Sequence, residues 1–135
     1  MRIAPALLAI ALVLVHQAGC APRRPATVAA PEGQAMKIEL LGFPGCPNTP
    51  AMRDNLRAAL QCMGGGMTFT DTNQESLPEG DMRRGWPTPT VLVNGADLFG
   101  MAPPSAPSMG CRMYVGGVPD AESIAAKLKA LGSAK

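Results

Sequence analysis

Hydrophobic and polar residues switch from a strand-like to a helix-like pattern between residues 37 and 63. The short apolar run over residues 37–41 predicts a buried strand. Residues 50–63 instead place apolar side chains at helical spacing, which predicts a helix with one buried face. That face consists of Met52, Leu56, Ala59, Leu60 and Met63. Three consecutive glycines, 64–66, then end the helix.

The following segment carries shorter patterns. Residues 67–70 alternate and predict a short strand, and a polar stretch holds a short helix near residues 82–84. Residues 90–93, Thr-Val-Leu-Val, give the clearest strand signal. Asn94-Gly95 follows as a two-residue turn, which predicts a hairpin into residues 97–99.

The C-terminal part predicts one more strand and one more helix. Residues 112–115 are the strand candidate. Residues 121–131 predict a helix in which Ile124, Leu128 and Leu131 share a face, with Asp120 as N-cap and Gly132 beyond the end. The chain therefore predicts an α/β domain in which a strand-helix-strand unit precedes a hairpin and a last helix.

The N-terminus reads as an export signal rather than as part of the domain. A basic start and an apolar run over residues 3–15 are typical of a signal peptide, which we place at residues 1–19. Gln17-Ala18-Gly19-Cys20 resembles the cleavage box of bacterial lipoproteins, and this implies lipidation of Cys20 and anchoring to the cell envelope, facing the periplasm. Cleavage after Ala21 with soluble secretion, or an uncleaved anchor, are the alternatives. Residues 20–35, rich in proline and alanine, predict an extended tether, and residues 36–135 form the domain.

The charge balance of the domain argues against one class of partner. Residues 36–135 hold nine Lys and Arg and nine Asp and Glu, so their formal charge is zero. A nucleic-acid-binding surface needs clustered basic residues, and we therefore expect no nucleic-acid partner. The single histidine, His16, lies in the signal, which leaves the domain without the commonest general base and metal ligand near neutral pH.

Cys46 is the first candidate for chemistry, because it lies where the first strand turns into the first helix. Backbone N–H groups and the helix dipole favour a thiolate there, and thiolate is the nucleophilic and metal-binding form. Thr49, one turn along, can donate its hydroxyl to the sulfur. Two plainer interpretations remain open: Cys46 is an unreactive cap residue, and Thr49 caps a helix that starts at Pro50.

Cys111 is the second candidate, because the chain has no C-x-x-C motif and Cys46 needs a partner from elsewhere. Cys62 lies sixteen residues along the same helix, a separation of about 24 Å against the ~7 Å limit for bridged Cα atoms. It is most simply a packed apolar residue. Cys111 itself is alternatively a structural disulfide partner of Cys46 or a buried strand residue.

The order of elements, with a cysteine at the first helix, resembles the thioredoxin fold, a central mixed sheet flanked by helices. Pro87-Thr88-Pro89-Thr90 stands where thioredoxin-like proteins carry a cis-proline facing the reactive cysteine. The resemblance implies that Pro89 is cis. It also implies that the backbone of Thr88 is exposed, ready to pair with an extended substrate.

Three motifs narrow the resemblance to small thioredoxin-like proteins grouped with alkylmercury lyases. They are F-P-G-C-P around Cys46, P-T-V-L-V-N-G at 89–95 and C-R-M-Y at 111–114. The resemblance implies that Cys46 and Cys111 match the two thiols that grip mercury in the lyase. Thr49 stands where the lyase carries a proton-donating aspartate, and a hydroxyl is a poor proton donor at pH 7. Binding of a soft ion without carbon–mercury cleavage is therefore the corresponding hypothesis.

Three functions remain open on the sequence. In the first, Cys46 attacks a disulfide or peroxide, Thr88 and Pro89 align the substrate, and Cys111 or an external thiol resolves the adduct. In the second, Cys46 and Cys111 bind a soft metal such as mercury, the one cofactor we consider. In the third, the fold is an inert scaffold. The Pro/Ser-rich residues 100–110 predict a surface loop bordering the site, and Arg112 is expected to be exposed.

Overall fold

The computed structural model describes residues 35–133, which form a four-stranded sheet and two helices. The signal peptide, Cys20 and nearly all of the tether lie outside the described residues. In chain order the elements are β1 (Ile38–Gly42), α1 (Thr49–Cys62), β2 (Phe69–Asn73), β3 (Thr90–Val93), β4 (Ala96–Asp97) and α2 (Ala121–Ser133), with 3₁₀ turns at Gln74–Ser76 and Met82–Gly85. Neither helix in this part of the chain has the length and apolarity needed to cross a membrane.

The sheet is mixed, with strand order β2-β1-β3-β4. β1 pairs in parallel with β2, as a strand-helix-strand unit requires, and antiparallel with β3. Leu41, near the end of β1, lies opposite Thr90, the first residue of β3. The loop that leaves β1 and the segment that enters β3 therefore meet at one edge of the sheet. The sequence puts Cys46 in the first and Thr88-Pro89 in the second.

Both helices pack on one face of the sheet. Alternation along β1 and β3 sends Ile38, Leu40, Val91 and Val93 to that face, where they join the buried side chains of the helices. The helical contribution comes from Met52, Leu56, Ala59, Leu60, Ile124, Ala125 and Leu128. On the other face Leu41 and Leu92 pack with Trp86. The predicted α/β class is confirmed at this level, and within residues 35–133 both helices flank the same face of the sheet.

The boundaries of α1 and β2 differ from the pattern in small, explicable ways. The helix starts at Thr49 rather than Pro50, and Pro50 occupies the first turn, where its missing N–H breaks no helical hydrogen bond. The strand predicted over 67–70 begins at Phe69, because the parallel register pairs Phe69 with Ile38. A polar strand at a sheet edge has weak alternation, so the pattern alone cannot fix its register.

The strand predicted over residues 112–115 is wrong. Only a single parallel bridge forms, between Cys111 and Thr88. Beyond it the segment is attached through side chains: the guanidinium of Arg112 donates to the hydroxyl of Thr90 at 3.1 Å, and Tyr114 donates to the carbonyl of Pro89 at 2.8 Å. Glycines 116 and 117, with φ of 84° and 94°, then turn the chain toward α2.

Candidate functional site

Cys46 lies in a tight loop between β1 and α1 and is only 2% exposed. Its N–H donates to the carbonyl of Phe43 at 3.1 Å, and its own carbonyl accepts from the N–H of Thr49 at 3.3 Å. Gly42 allows this turn, because a Cβ there would collide with the side chain of Thr49. The N-cap of α1 is Asn48, so Cys46 precedes the cap by two residues instead of forming it.

The sulfur of Cys46 faces the residue before the cis-proline. Its thiol donates to the carbonyl oxygen of Thr88, with an Sγ to O distance of 3.2 Å. The peptide bond between Thr88 and Pro89 is cis, as the resemblance to thioredoxin-like proteins implies. The antiparallel register of β1 and β3 brings these two loops together, so the juxtaposition is a direct product of the sheet topology.

Cys111 lies beside this pair, in hydrogen-bonding reach of the Cys46 sulfur. The backbone of Thr88 positions it from both sides: the Thr88 N–H donates to the carbonyl of Gly110 at 2.7 Å, and the Thr88 carbonyl accepts from the N–H of Arg112 at 2.7 Å. In contrast to Cys46, Cys111 is exposed. The structure thus brings together the two thiols that the sequence singled out, and both are reduced.

The surroundings of Cys46 lower its pKa below the ordinary value for a thiol. Burial acts in the opposite direction and raises the pKa, because it disfavours the charged form. Four neighbouring donors outweigh it by stabilising the thiolate: the Thr49 hydroxyl, the Asn48 N–H, the Thr88 side chain and the Cys111 thiol. The negative charge of the pair is therefore favoured on Cys46.

The pKa of Cys111 moves the other way. Its hydrogen bond to Cys46 raises the pKa, because the proton of Cys111 is the one that Cys46 accepts. Desolvation and the charge on Cys46 add to the increase. The two sulfurs therefore form an unequal pair, and when the pair loses one proton, the remaining proton is favoured on the exposed Cys111.

Thr49 is 4% exposed, and its hydroxyl has no hydrogen-bond partner among the described residues while Cys46 is a thiol. As the first residue of α1 it provides no side-chain cap, so the interpretation of Thr49 as an N-cap is wrong. Buried hydroxyls usually have a partner, and an orphan at a functional site calls for one. The Cys46 thiolate supplies an acceptor, which matches the effect of Thr49 on the pKa of Cys46.

Arg112 is the residue beside the candidate site that sequence reasoning misplaced. It is buried, not exposed, and its guanidinium contacts both carboxylate oxygens of Asp97 at 2.7 and 3.1 Å. The Asp97 carboxylate also accepts from the N–H groups of Phe99 and Met101 at 3.2 and 2.8 Å. This buried pair joins the residue after Cys111 to the β3–β4 hairpin. The available signal was Asp97 itself, an acidic residue at the start of the segment that the Asn94-Gly95 turn predicts as the second strand of the hairpin.

Tyr114 strengthens the same attachment. The Arg112 guanidinium lies 4.3 Å from the centre of the Tyr114 ring, and the ring packs edge-on against Phe99 at 5.7 Å. Burial raises the pKa of Tyr114, so the phenol keeps its proton. The hydroxyl donates a hydrogen bond to the carbonyl of Pro89. The segment carrying Cys111 is therefore fixed to the cis-proline turn by buried charge and aromatic contacts.

The backbone of Thr88, expected to be open to an extended substrate, is occupied by the chain itself. Thr88 is fully buried, and both its N–H and its carbonyl are hydrogen-bonded to the segment 110–112. Pro89 is likewise buried. A peptide pairing with Thr88 would have to displace this segment. The middle of the loop 100–110 packs against the 3₁₀ turn Met82–Gly85, since a Cβ on Gly85 would meet Pro104 and Ala106.

A cavity of about 150 Å³ lies on the side of Cys46 that includes Thr49. An ion pair between Arg53 and Asp71 forms part of its wall. The remaining lining residues are Gly42, Phe43, Pro44, Pro50, Thr72 and Asn73. This space suits a water-sized or very small organic group next to Thr49, not a polypeptide.

The described residues hold no cluster of three or more His, Cys, Asp or Glu side chains arranged to bind a metal ion. A two-thiol site at Cys46 and Cys111 is therefore the one sequence-predicted metal site to consider. Cys62, the last residue of α1, is exposed, so its interpretation as a packed apolar residue is wrong.

Comparisons with known proteins add no assignment. No protein-family model matches the chain, and no match was found among curated proteins or solved structures.

Proposed function

We propose that this chain is an exported thioredoxin-like protein whose Cys46 and Cys111 cycle between dithiol and disulfide by exchange with external thiols and disulfides. The carrying observation is the site itself, where the Cys46 thiol donates to the Thr88 carbonyl at 3.2 Å and Cys111 lies in hydrogen-bonding reach. The thioredoxin-like relation is supported by the order of elements and by the cis bond before Pro89.

The unequal proton sharing supports exchange chemistry. A thiolate is both the attacking and the leaving species in thiol–disulfide exchange, and the hydrogen bonds around Cys46 favour that form. Conversion of the pair to a disulfide transfers two electrons to an external disulfide, which is released as two thiols. The reverse exchange oxidises two external thiols to a disulfide and restores Cys46 and Cys111.

A redox titration of the full chain in glutathione buffers tests the proposal. Free thiols are blocked with iodoacetamide after equilibration, and trypsin separates the three described cysteines into peptides 38–53, 58–83 and 85–112. We expect peptides 38–53 and 85–112 to become linked reversibly as the buffer becomes more oxidising. Cys46→Ser and Cys111→Ser must each abolish the link, and Cys62→Ser must leave it. Failure of the two peptides to link reversibly contradicts the proposal.

Soft-metal binding is the second candidate, favoured by the same adjacency of two thiols, one of which is held toward its thiolate form. Titration with mercuric ion under reducing conditions, followed by ultraviolet absorption of the metal–thiolate bond, tests it. In a Cys62→Ser background, which removes the exposed third thiol, we expect one equivalent bound by the chain with both site thiols, and weaker binding when Cys46→Ser or Cys111→Ser is added. Equal binding by these variants and the chain with both site thiols would eliminate the candidate.

We propose further that the domain is tethered to the bacterial envelope through lipidated Cys20, on the strength of the N-terminal sequence alone. The mass of the mature N-terminus measures this directly. Diacylation of Cys20 gives a lipid-modified first residue, whereas soluble secretion leaves an unmodified peptide.

A further inference from the structure

The two sulfurs of the pair differ in their access to solvent. Cys46 is 2% exposed, whereas Cys111 is exposed. The Cys46 sulfur is enclosed by Thr49 and Thr88, both buried, and by Cys111. An external sulfur that approaches from solvent therefore meets Cys111 first.

The segment 110–112, which covers Cys46, is firmly attached to the rest of the domain. The segment 110–112 is hydrogen-bonded to Thr88 at 2.7 Å on both sides, and the Arg112 guanidinium is joined to the buried Asp97 carboxylate. Displacing the segment would separate a buried ion pair, which is strongly unfavourable because it leaves a charge without compensation. The cavity of about 150 Å³ on the other side of Cys46 does not enclose a whole tripeptide such as glutathione, and Cys46 remains only 2% exposed beside it.

We infer that the external substrate bonds to Cys111, and that Cys46 is the internal partner: it leaves when the mixed disulfide forms from the oxidised chain, and in the reverse direction it attacks Cys111 to release the substrate. The inference rests on the proposed thiol–disulfide exchange and reverses the order of attack expected from the sequence. There, Cys46 was the residue linked to substrate and Cys111 the resolving one.

The exchange balances as follows. In the oxidised chain an external thiolate attacks the Cys111 sulfur, a new sulfur–sulfur bond forms to Cys111, and the Cys46–Cys111 bond breaks to release the Cys46 thiolate. A second external thiolate then attacks the external sulfur of the mixed disulfide. The bond between that sulfur and Cys111 breaks, which gives an external disulfide and the Cys111 thiolate, and this thiolate takes a proton. Two external thiols are oxidised, and the protein disulfide is reduced.

The environment of Cys46 suits a leaving group. Exchange is faster when the departing sulfur has the lower pKa, and the Thr49 hydroxyl and the Asn48 N–H remain available as donors that stabilise the departing Cys46 thiolate. Access and leaving ability therefore select the same direction of attack.

Single-cysteine variants of the full chain test the assignment with oxidised glutathione as the probe. After a timed reaction the remaining thiols are blocked with N-ethylmaleimide, and the glutathione adduct is mapped on tryptic peptides 38–53, 58–83 and 85–112. The exposed Cys62 in peptide 58–83 is the internal reference for an accessible thiol in each variant. We expect Cys46→Ser to accumulate the adduct at Cys111, and Cys111→Ser to form it at Cys46 about tenfold more slowly relative to Cys62.

The opposite pattern, with rapid adduct formation at Cys46 in Cys111→Ser and slow formation at Cys111 in Cys46→Ser, overturns the assignment. A second measurement uses the oxidised wild-type chain, reacted briefly with reduced glutathione and quenched in acid with N-ethylmaleimide. Glutathione on peptide 85–112 supports the inference, and glutathione on peptide 38–53 overturns it while leaving the exchange function intact. If peptides 38–53 and 85–112 never link, the exchange function itself fails, and the assignment fails with it.

Discussion

At the scale of single residues, the orphan hydroxyl of Thr49 gives a direct test of how the thiolate is stabilised. Thr49→Val keeps the shape of the side chain and removes the donor to Cys46. A hydrogen bond to a charged group contributes about 1.5–3 kcal/mol, so we expect the labelling midpoint of Cys46 to rise by about one to two pH units. Iodoacetamide labelling of peptide 38–53 against pH measures it, with Thr70→Val, at an exposed position of β2, as the matched control.

The same variant has a predictable effect on stability. Because the folded pKa of Cys46 is lowered, its thiolate stabilises the fold above the unfolded pKa of about 8.5, and this stabilisation is lost as pH falls through the folded pKa. Thr49→Val should therefore be close to neutral at acidic pH, where its hydroxyl has no partner, and destabilising near pH 8.5. Urea unfolding of the reduced chain at the two pH values checks this; an equal loss at both would mean that Thr49 acts only through packing.

At the scale of elements, the buried pair between Arg112 and Asp97 joins the Cys111 segment to the β3–β4 hairpin. Arg112→Met leaves the Asp97 carboxylate buried without its cation, and we expect a loss of about 3 kcal/mol or more in the free energy of unfolding. Arg57→Met is the control, because its pair with Asp54 is exposed and such pairs contribute at most about 1 kcal/mol. Urea unfolding measures both.

The variant also separates a positioning role for Arg112 from a purely structural one. If Arg112 holds Cys111 beside Cys46, Arg112→Met must shift the dithiol–disulfide equilibrium of the Cys46–Cys111 pair in the glutathione titration. It must also raise the pH midpoint of Cys46 labelling. A loss of stability with an unchanged couple would show that the pair only stabilises the hairpin.

The elements that depend on local sequence pattern could be predicted, and the features that depend on contacts between distant residues could not. Apolar spacing and the Asn94-Gly95 turn predicted α1 and the hairpin, and local motifs indicated Cys46 and the cis bond before Pro89. The burial of Arg112 could not be read in this way, because its compensating charge lies 15 residues away in sequence. Nor could the occupation of the Thr88 backbone by 110–112, which is one isolated bridge with no periodic signal.

At the scale of the whole molecule, the redox state of the pair is coupled to the stability of the fold. Cys46 and Cys111 lie 65 positions apart, and a cross-link closing a loop of that length stabilises a fold by about 4 kcal/mol through the entropy of the unfolded chain. The folded dithiol form, however, gains hydrogen bonds to the Cys46 thiolate that the disulfide form lacks. We therefore expect oxidation to stabilise the wild-type chain by less than about 4 kcal/mol near pH 8.

Thr49→Val tests this coupling, because it weakens the dithiol form and leaves the loop length unchanged. The difference in unfolding free energy between oxidised and reduced chains should increase in Thr49→Val relative to the wild type, and the couple should become less oxidising in the glutathione titration. Folding and oxidation form one thermodynamic cycle, because the folded and unfolded chains in both redox states are its four corners. The shift in the unfolding free-energy difference and the shift in the redox free energy of the folded chain must therefore agree in sign and size. Urea unfolding of both redox states of both chains provides the four free energies. An unchanged difference would mean that hydrogen bonding to Cys46 does not set the redox balance, and that loop closure alone does.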